Sequence, residues 1–137
     1  MNLLQHNPYR LLGVYSNSPT KERLANHNRM KAFLKVGKSV SFPLDVPQYL
    51  SSINRTEASA ADAEAKLTLP KDQILHAQFW FIKTTPLDEV AFNHLFAGEI
   101  DKAEEIWQKR ECLSALQNRI VCALIRNRYD SAIKCAE

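Results

Sequence analysis

A chain of 137 residues is long enough for one domain or for two small helical units. Its net charge of +3 is too mild to point to nucleic acid, and three glycines are too few for a β-rich chain full of tight turns. No basic-apolar leader opens the chain, no apolar run is long enough to span a membrane, and the three cysteines make no Cys-x-x-Cys pair. The expectation is an all-α, cytoplasmic protein with free thiols.

Residues 7–14 read as a short helix with a firm start and stop. Asn7 caps it, Pro8 takes the first position and Gly13 closes it. Tyr9, Leu12 and Val14 point inward. Ser16-Asn17-Ser18-Pro19 then turns the chain into a long helix, with Ser18 as cap and Pro19 in the first turn, and neither proline nor glycine interrupts it before Gly37. At about 100° per residue, Lys21, Leu24, Asn28, Lys31, Lys35 and Lys38 share one stripe. Ala25, Met30, Ala32, Phe33, Leu34 and Val36 fill the rest, with Arg23 and Arg29 among them. A basic, water-facing stripe and a broad apolar back belonging to the core are therefore expected. A stripe of lysines is ordinarily just a solvated face. Here the charge is one-sided, since Glu22 is the only acid between Pro19 and Val40, and the loop Ser41-Phe42-Pro43-Leu44-Asp45 comes directly after. The stripe is thus also the candidate landing surface for an acidic protein partner.

Asp45 reads as the cap of a short turn with Pro47 in its first turn. An alanine-rich helix is expected over residues 56–68, with Ala58, Ala61, Ala65 and Leu69 spaced to pack on the basic helix. Leu69-Pro70-Lys71-Asp72 breaks it, and residues 73–83 form another helix. Ile74, Ala77, Phe79, Trp80, Phe81 and Ile82 are too many apolar groups for a surface helix and read as a seam with the C-terminal part of the chain. His76 among them reads as a packed or half-exposed residue rather than a ligand.

Taken together, residues 7–82 resemble a J-domain, the DnaJ co-chaperone module. The resemblance rests on Tyr9-x-x-Leu12-Gly13-Val14, the Ser18-Pro19 turn, the long basic helix, and an antiparallel helix beyond a proline loop. It implies a J-domain-like antiparallel helix pair with short flanking helices over residues 1–83. Lys21, Lys31 and Lys35 match the family's basic face by position. In that family the loop carries His-Pro-Asp, which triggers ATP hydrolysis by the seventy-kilodalton heat-shock chaperone. Phe42, Pro43 and Asp45 stand at that place, with Leu44 inserted. Phenylalanine has no ring nitrogen, so it supplies neither the hydrogen bond nor the charge of histidine. Without a partner's demand, Phe42 would tuck into the helix pair and Pro43 would merely turn the chain.

Residues 84–137 repeat the helix-start signal, with Thr85 as cap, Pro86 first and Asp88 and Glu89 in the first turn. Residues 95–103 line up with residues 124–132, and Gly98 falls opposite Asn127. Each unit reads helix, Gly/Asn turn, helix. This half resembles a tetratricopeptide-like helical extension, Gly98, Ala103 and Trp107 echoing that family's second helix; its second unit stops in mid-helix at Ala136-Glu137, so either the chain frays there or the repeat is truncated. Cys112, Cys122 and Cys135 match no zinc spacing, and His94 does not complete a site. No catalytic residue, cofactor, metal or nucleic-acid partner is expected. The reading is a non-catalytic, chaperone-related adaptor that does not stimulate the chaperone. The alternative is a helical scaffold protein of a larger assembly that keeps the fold without any chaperone partner.

Overall fold

The structure, a computed structural model, describes Leu4 and residues 6–126. Among these residues the fold is all-helical, with seven α-helices, one 3-10 turn and no strand. The helices are α1 (Pro8–Leu11), α2 (Thr20–Lys35), α3 (Glu57–Lys66), α4 (Pro70–Ala77), α5 (Pro86–Phe96), α6 (Ile100–Gln108) and α7 (Leu113–Ile125), with the 3-10 turn at Pro43–Asp45 between α2 and α3.

Helix α1 forms as its punctuation dictates. Tyr9 N donates to Asn7 Oδ1 at 2.9 Å, and Gly13 leaves the helix at a φ of +71°. Tyr9, Leu12 and Val14 are buried. Helix α2 starts later than expected. Pro19 itself occupies the cap position, because Ser18 Oγ turns back to accept from Tyr15 N at 3.0 Å.

The expected apolar back of α2 is corrected. Of its members only Met30 is buried and Leu34 half-buried, whereas Ala25, Ala32, Phe33 and Val36 face water. The apolar residues are spread round the helix, and its main neighbour, α3, is thin and covers one strip. That strip includes Arg23, whose Nε donates to Glu64 Oε1 at 2.8 Å. Helix α3 is also rotated from the expected register. Ala60, Ala63 and Leu67 are buried, while Ala58, Ala61, Ala65 and Leu69 are exposed. With alanine at half its positions α3 has no distinctive face, so Leu67 and the ion pair of Arg23 with Glu64 set its rotation.

Two boundaries also move. Pro70 opens α4 rather than ending α3, as suits a first helical position. Helix α4 stops at Ala77, so Trp80 and Phe81 fall in the irregular segment beyond it. Both are fully buried, while Ile74 and Leu75 on α4 are exposed. Asp45 ends a 3-10 turn instead of starting a helix, its Oδ2 accepting from Phe42 N at 3.2 Å.

The later helices obey their signals. Asp88 N donates to Thr85 Oγ1 at 3.2 Å, and Gly98 turns α5 into α6 at a φ of +83°. The repeat's second turn at Asn127, and Cys135, lie outside the described residues. One apolar cluster runs from Tyr9 and Leu12 through Trp80 and Phe81 to Phe92 and Trp107. Phe81 meets Phe92 edge-on at 5.4 Å between ring centroids, and Phe92 meets Trp107 at 5.2 Å. Trp80 Nε1 donates to Val14 O at 3.1 Å, and Asn118 both accepts from Ile82 N and donates to Ile82 O, each at 2.9 Å. These bonds tie α1 and α7 alike to the Trp80-Phe81 segment.

Candidate functional site

Helix α2 presents its basic stripe to water along its whole length. Lys21, Leu24, Asn28, Lys31 and Lys35 are all exposed, with Leu24 at 44%. Lys38 is exposed as well, but it does not belong to the helical ridge. The helix ends at Lys35, and Lys38 comes after Gly37 with its Nζ 5.9 Å from the centroid of the Phe33 ring. Arg29 is exposed beside the ridge, while Arg23 is taken by Glu64. The flank formed by Ala25, Ala32 and Val36 is open too, so α2 offers a mixed basic and apolar surface. The sequence carried this in the scatter of apolar residues around α2, which no single neighbour could cover.

The loop after α2 is built quite differently. Phe42 is half-buried against Gly13, so closely that a Cβ on Gly13 would collide with the ring. The Arg55 guanidinium stands 5.0 Å from the centroid of that ring. Pro43 is exposed, whereas Asp45 is buried. Arg55 grips both Asp45 carboxylate oxygens, Nη2 on Oδ1 at 2.6 Å and Nη1 on Oδ2 at 2.8 Å. It also donates to Leu11 O at 2.8 Å, Arg10 O at 3.1 Å and Val40 O at 3.1 Å. Arg10 lies beneath, fully buried, donating through Nη2 to Asp45 O and to Ser51 O, each at 2.8 Å. Burial pulls the Arg10 guanidinium down to about 10, against the opposing pull of the Asp45 carboxylate and with a small push from Arg55. It therefore remains charged at neutral pH.

Phe42, Pro43 and Asp45 are thus brought together, and only Pro43 faces outward. Both oxygens of Asp45 are engaged internally. Arg10 and Arg55 escape sequence reasoning, because neither sits in a spaced motif and their partners are mostly backbone carbonyls. The only local hint is the position of Arg55 directly before the cap Thr56.

The groups with chemical potential elsewhere are occupied or scattered. Cys122 is buried, and burial drives its thiol far above the ordinary value. Cys112 Sγ lies 3.3 Å from Ser114 Oγ, a contact that lowers its thiol. His94 Nδ1 is 3.1 Å from Glu99 Oε1. Among the described residues no three His, Cys, Asp or Glu side chains gather as a metal site, and no helix is long and apolar enough to cross a membrane. No family model, no curated protein and no solved structure matches this chain.

Proposed function

We propose that this protein is a non-catalytic, cytoplasmic adaptor of the J-domain-like kind, which binds an acidic surface of a seventy-kilodalton heat-shock chaperone without triggering its ATPase. One contrast carries the reading. The lysine ridge of α2 is wholly exposed, while the carboxylate at the trigger position, Asp45, is locked onto Arg55. A docking surface is present, and the polar group that would act on the partner is turned inward. The ridge works chiefly by steering association, so binding weakens as salt rises. Lys31→Glu combined with Lys35→Glu tests this. Chaperone binding is lost and helicity is unchanged if the ridge is the contact; unchanged binding removes the reading.

A second reading, a scaffold protein with no chaperone partner, draws on apolar groups away from the ridge. Ile74 is 65% and Leu113 85% exposed. Such side chains fit contacts inside a larger assembly. Under that reading the charge reversals leave every interaction intact.

A further inference from the structure

Helix α2 is covered by its main neighbour, α3, along one strip, and its opposite side is open. At about 100° per residue, Ala25 and Ala32 form the outermost line of that side, with Val36 at its end. Lys31 and Lys35 stand on one side of the line and Arg29 on the other, all of them exposed. The cations are unanswered within the fold. Among the described residues, Lys21, Arg29, Lys31 and Lys35 make no ion pair or hydrogen bond through their side chains. Glu22 is the only acid on α2. On α3, Glu64 is taken by Arg23 and Asp62 by Lys66, and Glu57 forms no ion pair.

The backbone of α2 decides what form of partner fits. The interior of a regular helix has bonded its own N–H and C=O groups, so this face offers side chains and nothing else. An extended chain laid along it would keep its backbone groups unpaired against alanine methyls. A helix arrives with those groups bonded internally and meets α2 side chain to side chain. The lysine stems can then reach round to the partner's flanks. A lipid surface fits worse. Leu24 and Phe33, large exposed side chains of α2, project about 180° from one another, so they make no common face to bury in a bilayer.

We propose that this face takes an acidic, amphipathic α-helix of a protein partner, laid along the 16 residues of α2, a length of about 24 Å. Small or apolar side chains of that helix meet Ala25, Ala32 and Val36. Its carboxylates, repeated every three or four positions, meet Lys31 and Lys35 on one flank and Arg29 on the other. The proposal rests on the ridge being the docking surface and adds the kind of element that docks there.

Selection on the full chain, from a library that randomises the exposed face of a single displayed helix, tests this. The expected consensus is a line of small or apolar residues bordered by aspartate or glutamate at helical spacing. Made as a side-chain-stapled helical peptide, the consensus should shift the amide resonances of α2 and bind more weakly at high salt. Ala25→Gln with Ala32→Gln keeps the net charge but thickens the line, and should weaken the peptide by about tenfold. Both alanines are exposed, so this variant should fold as the parent does. Lys31→Glu with Lys35→Glu should weaken the peptide at least as much. An unstapled peptide of the same charge with proline in mid-sequence should not bind. No enrichment, a consensus without acids, a proline peptide that binds as well as the helical one, or indifference to the alanine pair each overturns the proposal. So does capture of phosphatidylserine vesicles in place of the peptide, or self-association of the chain through α2. If the helix fails in these ways but Lys31→Glu with Lys35→Glu still abolishes chaperone binding, the ridge stands as a docking surface and only its occupant is wrong.

Discussion

The two ends of the molecule are held by different forces. Around α1 and the α2 loop the hold is ionic and directional: Arg10 and Arg55 fasten Asp45 and a ring of backbone carbonyls. Around α5 and α6 it is aromatic, with Phe81, Phe92 and Trp107 packed ring on ring and Asp88 tucked beneath. The aromatic core buries one face of α5 and of α6 and leaves Leu87 and Val90 in water. Two arginines fix a loop from below and leave α2 covered on one side only. The first region offers the basic ridge, and the second braces it through its aromatic core.

The sharpest way to break this contrast is Asp45→Ala. It leaves the buried Arg55 guanidinium without its carboxylate, and such losses cost about 3–5 kcal/mol. Chemical denaturation should show that loss, and hydrogen exchange should show residues 37–46 opening first. A loss under about 1 kcal/mol, well short of the range for broken buried pairs, would mean that the staple is ornamental.

Next comes Gly13→Ala. The left-handed φ of +71° costs roughly 1–2 kcal/mol for any side chain, and displacing the Phe42 ring adds about 1–3 kcal/mol. Gly98→Ala is its control. Its φ is similar at +83°, but its nearest neighbour, Gln48 Cγ, lies at 3.9 Å, so only the backbone part, roughly 1–2 kcal/mol, should appear. Equal losses at both positions would contradict the tight seat of Phe42.

Asp88→Asn probes the brace, with an expected loss of about 1–2 kcal/mol at neutral pH. Burial pushes the Asp88 carboxyl up, but bonds from Thr84, Trp107 and Thr85 outweigh it, and the net position is below the ordinary value. A carboxylate depressed by folding stabilises above its unfolded pKa, about 3.9. That contribution fades as pH falls through the lower, folded value. The gap between the parent and Asp88→Asn should thus be full at pH 7 and narrow in acid below pH ~4. A gap constant with pH would remove the charge from the account. The smallest stability effect is expected for Lys31→Glu with Lys35→Glu, roughly within 0.5 kcal/mol, since both side chains stand in water.

How much of this was legible in the sequence depends on how local each signal is. The caps at Asn7 and Thr85 and the turns at Gly13 and Gly98 were readable because each acts within four residues. The exposure of the lysine ridge was readable from spacing. The buried faces of α2 and α3 were not, because apolar residues lie all round α2 and alanines all round α3. Long-range contacts, the burial of Leu67 and Arg23 on Glu64, choose between faces. The arginine staple was hidden for the same reason: its bonds join residues 10 to 45 positions apart, mostly through carbonyls that every residue has.

The most direct measurement is single-turnover ATP hydrolysis by the seventy-kilodalton chaperone with this protein added, alongside binding at low and high salt. Salt-sensitive binding with no acceleration of hydrolysis is the expected result, because Asp45 is held by Arg55. Full stimulation would contradict it, for it would require Phe42, Pro43 and Asp45 to leave their seat and act on the partner.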